Sequence, residues 1–313
     1  MKLALSFVAC VLMIFSATAQ QLPDTAFEYP IRQSAYQPGR GPLVMIDEAH
    51  NNFHTKNGGF RAFSNLLTKD GYNVKGLSKP ILSEDVLRGC KILVIANALD
   101  SSNTDNWILP TPSAFSGQEI RVIEQWVKAG GHLLLIADHM PFAGAATDLG
   151  KALGFGFLNG FAFTGVPKWP PSVFYRKDKT LEPSPAVLGL LDYEKIDSVA
   201  TFTGSAFSIP YGATGVLRFG DNDRSLQPDT AWKFSENTPA QPLKGYYQGA
   251  IANYGKGKVA LFGEAAMFTA QLVNGTFRVG INSETAPQNG QFVLNLIHWL
   301  DGITKYNGNK NAH

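Results

Sequence analysis

The sequence predicts an α/β fold built on an open, doubly wound, mostly parallel sheet, and three observations predict it. Short apolar runs recur at Leu43 to Ile46, Ile92 to Ile95, Leu133 to Ala137 and Val259 to Phe262, unbroken by polar residues as in strands covered on both faces. Segments of helical period separate several of them. Each run also ends in polar or reactive groups: Asp47 with the stretch through His54, Asn97, Asp138-His139, and Glu264. Parallel strands point one way, so these residues would gather along one rim, where doubly wound folds bind ligands.

Taken in order, the chain of 313 residues begins with Lys2, the apolar run Leu3 to Phe15 and a small-residue site, Ala17-Thr18-Ala19. That pattern is a secretory signal peptide over 1–19, cleaved after Ala19 and directing the protein to the periplasm or outside the cell. The run is shorter than the roughly 20 residues that span a bilayer, so no membrane span is expected. Cys10 lies inside the run behind a poor lipobox, and cleavage would leave Cys90 without an intramolecular disulfide partner. Residues 20–42, rich in proline and glycine, read as an extended lead-in. A single α/β domain is expected over 43–302, with an insertion at about 161–220 and a flexible tail over 303–313.

Within the domain, Phe60, Phe63, Leu66 and Leu67 share a helical face that Gly71 stops, and Tyr72 to Leu77 follows as a second strand, completing a βαβ unit. Cys90 stands at the entrance to the Ile92 to Ile95 strand as a small hydrophobe. Ser116 and Glu119 have capping-box spacing ahead of a stripe of Ile120, Ile123, Trp126 and Val127, which Gly130-Gly131 ends. From Phe161 to about Asp197 the alternation stops in a stretch containing Trp169, Phe174 and Tyr175, which suits a lid or insertion. Ser198 to Gly204 and Gly215 to Gly220 read as strands of a small subsidiary sheet. Gly255-Lys256-Gly257 marks a hairpin between Gly249 to Tyr254 and Lys258 to Gly263, and Val293, Leu296, Ile297 and Leu300 line a final helix.

Composition excludes some partners. With 27 basic against 25 acidic residues and no basic tract, the chain lacks the concentrated positive charge that nucleic-acid binding needs. Gly154-Phe155-Gly156 with Gly160 follows a helix at the wrong spacing for a dinucleotide loop, and no Gly-x-Ser-x-Gly elbow exists. His132 and His298 read as structural.

The chemistry therefore rests on the strand ends. His50 and His54 with a carboxylate, Asp138 being the one a shared rim would supply, suit a divalent metal; the same stretch also suits a turn pinned by Asp and Asn side chains. His139 can serve as a general base beside Asp138, or Asp138 can cap a helix starting near Ala145 or bind loop amides, with His139 packed against the lid. Glu264 enters an apolar segment, where burial raises the pKa of an unpaired carboxyl, so it needs a partner, a function or a capping role. Asp47, His50, Asp138, His139 and Glu264 form the catalytic set expected from this pattern, with Asn52 and Asn97 as ligand contacts.

Asp47 through Thr55, the block from Trp126-Val127-Lys128-Ala129-Gly130-Gly131 to Ala137-Asp138-His139, Gly263 to Phe268, and Asn289 through Trp299 together resemble an uncharacterised exported bacterial branch of the class I glutamine amidotransferase-like superfamily, a domain of unknown function. The resemblance runs from about Leu43 to Gly302 and implies a flavodoxin-like sheet. Its amidotransferase activity does not carry over, because Cys90 precedes its strand and Asp138-His139 stand at the turn where those enzymes place a cysteine nucleophile. The expected function is hydrolysis of a small or carbohydrate-like ligand in a polar pocket, with or without a divalent metal. The alternative is a non-catalytic binding module or an envelope scaffold.

Overall fold

The computed structural model describes residues 21–165 and 172–303. The expected leader, Trp169 with its neighbours, and the tail from 304 lie outside the described residues. Strands β1 (Leu43–Asp47), β2 (Asn73–Leu77), β3 (Cys90–Ala96) and β4 (His132–Ile136) alternate with helices α1 (Arg61–Lys69) and α2 (Gly117–Ala129). There follow β5 (Gly156–Phe163), β6 (Gly204–Ser208), β7 (Thr214–Arg218), β8 (Arg224–Leu226), β9 (Ala240–Pro242), β10 (Tyr247–Tyr254), β11 (Gly257–Phe262) and helix α3 (Asn289–Asp301).

One 11-stranded mixed sheet holds all these strands in the order β9-β8-β5-β6-β10-β11-β4-β3-β1-β2, with β7 beside β10. The half from β11 to β2 is parallel; pairing elsewhere in the sheet is antiparallel. Alternation explains the continuous apolar runs, since successive strand residues face opposite sides. Val44, Ile46, Ile92, Val94, Leu134 and Ile136 pack in one core with α1 and α3. Leu93, Ile95, Leu133 and Leu135 pack in the other with Ile123, Trp126 and Val127 of α2. Every β4 residue is buried for that reason.

Local signals place the helix ends. The Ser116 side chain accepts from the Glu119 amide while the Glu119 carboxylate accepts from the Ser116 amide, and Gly71 and Gly130 take the positive φ values, 97° and 125°, that end α1 and α2. Ser116→Ala is expected to cost about 1 kcal/mol, read as a lower urea midpoint. Gly255 and Lys256 form the two-residue turn of the β10–β11 hairpin.

The expectation of a subsidiary sheet from 198–204 and 215–220 needs correction. Ser198–Ala200 does pair with Val173–Tyr175 in a two-stranded sheet, but β6 and β7 join the main sheet. Their side chains are buried on both sides, with Ala206, Val216 and Leu217 in one core and Phe207 in the other. The lead-in is also more than extended chain: Gln21–Pro23 pairs with Ala270–Val273, which pairs with Phe277–Gly280. No described helix is long and apolar enough to cross a membrane.

Candidate functional site

The ends of β1, β3, β4 and β11 do meet at one rim, but their reactive groups divide into two assemblies. The first is built on the loop after β1. His50 Nδ1 contacts both oxygens of Asp47, at 2.8 and 3.0 Å, while its Nε2 lies 2.8 Å from Glu119 Oε1 on α2. Burial opposes a charge on this ring, yet the hydrogen bonds and charges of Asp47 and Glu119 outweigh it and hold the His50 pKa above its usual value. Burial likewise opposes charge on Glu119, and bonds from Ser116 and His50 reverse that and lower its pKa. The ring therefore donates from both nitrogens as a buried imidazolium between two carboxylates.

With both nitrogens engaged, His50 has no lone pair for a metal or a substrate proton, which corrects its assignment as ligand and base. Asp47 is fully buried and is held further by the Asn52 amide at 3.0 Å. Asn52 also bonds the Ala96 carbonyl, and its oxygen accepts from the His50 amide. Asn97, 1% exposed, accepts from the Asp138 amide at 2.9 Å. Both asparagines thus hold loops in place rather than facing a ligand. His54 stacks on Phe60 at 5.2 Å, with its Nδ1 buried and unpartnered among the described residues. Burial drives its pKa down to about 4. The structure does not bring His50, His54 and Asp138 together as a metal site, and among the described residues no group of three His, Cys, Asp or Glu side chains is placed to hold an ion.

The second assembly joins Asp138, just past β4, to Glu264, just past its parallel neighbour β11. Burial pushes the Asp138 carboxyl up to about 7, against bonds from the His139 amide, Asn97 and the Ala265 amide. Burial, and next the charge of Asp138, push Glu264 up to about 8, against bonds from the amides of Ala266, Met267 and Phe202. Both carboxyls are thus held above the usual carboxylate range, because neighbouring carboxylates in a poorly solvated place repel. Glu264 is 1% exposed, whereas Asp138 keeps a partial opening to solvent.

Gly204 lets the start of β6 pack closely on the turn that carries Glu264: a Cβ there would sit 1.9 Å from the Gly263 carbonyl and 2.7 Å from Glu264 Cβ. Gly204→Ala is expected to destabilise the protein by about 1–3 kcal/mol through overpacking, measured by urea unfolding.

His139 lies beside the pair in sequence but is walled by aromatic rings. It stacks on Phe161 at 4.3 Å, and Trp232, Trp107 and Phe142 surround it at 4.7, 5.9 and 6.0 Å. Burial lowers its pKa to about 4, opposed by the Met140 carbonyl. That carbonyl can only accept, so Nδ1, 2.6 Å away, carries the proton and Nε2 the lone pair. Trp232 has a φ of 65°, a conformation bulky residues avoid unless their surroundings impose it. The Leu109 amide donates to Asp229 and the Ala231 amide to Trp107, so two loops hold that turn over His139. Trp232 and Phe53 remain about half exposed, at 48% and 50%.

Asp138, His139 and Glu264 lie at the strand-end rim where the sequence placed them, whereas Glu119 as the partner of His50 had no place in that reading. Its capping-box spacing was a signal for helix geometry that carried no hint of a second, tertiary role. Trp107, Phe142, Phe161 and Trp232 were missed as well, because they reach His139 from two loops, the start of the short helix Phe142–Ala145 and an antiparallel strand, without a recurring pattern. Of the structural roles open to Asp138, the structure shows the binding of a loop amide and not a helix cap near Ala145: its Oδ1 accepts from the next amide, that of His139, at 2.9 Å.

No protein-family model and no curated protein matches the chain. Among solved structures, the mmIFT52 N-terminal domain is similar with a TM-score of 0.59 at 15% identity, covering 86% of this chain and 99% of that domain. A ThuA-like protein from Bacteroides uniformis matches with a TM-score of 0.47 at 11% identity over 87% of this chain and 95% of its own. A cytoplasmic protein from Salmonella typhimurium matches with a TM-score of 0.46 at 15% identity over 83% and 98%. At these identities, the likeness to the mmIFT52 domain is one of fold alone.

Proposed function

We propose that the protein is an exported hydrolase of small, carbohydrate-like ligands, with Asp138 and Glu264 as its acid and base. The observation that carries this reading is the carboxyl pair placed just past the adjacent parallel strands β4 and β11, both members pushed above the usual carboxylate range; in this reading the pair shares one proton near neutral pH. The protonated member can protonate a leaving oxygen while the ionised member draws a proton from water. His139 Nε2 offers a second acceptor. Trp232 and Phe53 present aromatic faces that suit the apolar face of a sugar ring.

The parallel order β2-β1-β3-β4-β11 supports a flavodoxin-like reading of this half of the sheet and with it the glutamine amidotransferase-like resemblance. The Cys90 thiol, pushed up to about 12 by burial, is not a nucleophile at neutral pH, which supports loss of the amidotransferase reaction. A second reading is binding without turnover, favoured by the backbone amides that already engage Glu264 at 2.8 and 3.2 Å.

The two readings separate in one experiment, in which nitrophenyl glycosides are offered to the protein and to an Asp138→Asn, Glu264→Gln double variant. Turnover by the first alone, rising and falling across the neutral range, supports hydrolysis. Saturable quenching of tryptophan fluorescence with no turnover supports binding. Equal turnover by both proteins would remove the carboxyl pair from the mechanism.

A further inference from the structure

A cavity of about 510 Å³ adjoins the turn after β11, where Ala266 lines it. Ala266 and Phe202, whose backbone amides bond Glu264, contribute to its wall, while Glu264 itself does not line it. Its volume falls in the range of small-molecule sites, which combine an apolar wall with a few convergent polar groups.

Among the described residues that line this cavity, the charged ones are Arg278 and Glu284. Both side chains are exposed. No ion pair joins them, and neither forms one with another described residue. The same lining carries Phe202, Phe277, Val279 and Ala286 as apolar groups, with the hydroxyls of Thr201, Thr276, Ser283 and Thr285 among them. Opposite charges that share a pocket without neutralising each other are complementary to a ligand carrying both signs. A guanidinium matches the two oxygens of a carboxylate, and a carboxylate matches an ammonium.

We infer that this cavity binds a small zwitterion with an apolar body, of the class of an apolar α-amino acid or the end of a short peptide. Arg278 takes the ligand carboxylate, Glu284 takes its ammonium, and the aromatic wall takes its side chain. The site is separate from the Asp138–Glu264 pair and does not depend on the activity proposed for it.

The test is calorimetric titration of the full chain with L-phenylalanine, with phenylalanine amide, which lacks the carboxylate, and with 3-phenylpropanoate, which lacks the ammonium. L-phenylalanine is expected to bind at least about tenfold more tightly than either analogue, the size of one charged contact. Arg278→Ala should remove the preference over the amide, and Glu284→Gln the preference over phenylpropanoate. Both substitutions are at exposed positions, and unchanged circular dichroism would certify the fold. Three results overturn the inference: no binding of L-phenylalanine, equal binding of the three compounds, or preferences that persist in both variants. Loss of L-phenylalanine binding in Asp138→Asn with retention in Arg278→Ala would assign the ligand to the other site.

Discussion

Asp138→Asn is expected to make the protein more stable at alkaline pH while reducing any turnover by about 10²- to 10⁴-fold, the usual contribution of a positioned acid or base. The stability gain follows from the direction of the carboxyl shifts. Both groups have folded-state pKa values raised above their ordinary 3.8 and 4.5, so the folded protein binds more protons than the unfolded chain through the interval between. The stability they contribute is full below the ordinary values and is lost as pH rises through about 7 to 8. Removing the Asp138 charge eliminates one such loss and relieves Glu264 of its charged neighbour. Above that interval the variant is expected to exceed the parent by about 1–2 kcal/mol, the size seen when a strained active-site group is replaced. Urea unfolding at acidic and alkaline pH reads the effect. A variant less stable than the parent at both ends would mean that the pair is held by favourable bonds, and the reading of a shared proton would fail.

His50→Ala should act in the opposite sense and more strongly. It strips the cation from between Asp47 and Glu119, leaving two buried carboxylates, and breaking a buried pair in this way costs about 3–5 kcal/mol. The penalty has a pH window. His50 has a raised pKa, so its contribution is full below the ordinary 6.5 and fades as pH climbs through the raised value. Glu119 has a lowered pKa, so its contribution is present above the ordinary 4.5 and is lost as pH falls through the lowered value. The difference between parent and variant should therefore be greatest in mildly acidic solution and shrink on both sides. If denaturant midpoints of the two proteins ran parallel at every pH, His50 would not be the cation assigned to it.

These two outcomes would distinguish roles that a shared position at the strand ends leaves identical. Asp47 and Asp138 each follow an apolar strand, yet Asp47 is fully buried against a cation, whereas Asp138 faces another carboxyl and keeps an opening to solvent. Residue type and spacing are the same kind of signal in both cases. The difference lies in which neighbour the fold supplies: α2 delivers Glu119 to His50, and β11 delivers Glu264 to Asp138.

Elements governed by local chemistry were legible in the sequence: the apolar strands, the Ser116–Glu119 cap, the glycine stops at Gly71 and Gly130, the β10–β11 hairpin, and the rim that collects the strand ends. Each depends on side-chain alternation or on backbone geometry within a few residues, so the chain's own order carries it. The antiparallel half of the sheet, the imidazolium between Asp47 and Glu119, the raised carboxyl pair of Asp138 and Glu264, and the aromatic wall around His139 were decided by tertiary structure. They join residues from well-separated segments, up to the span from Asp138 to Glu264, and the energy of a buried charge depends on which group lies beside it rather than on which residue precedes it.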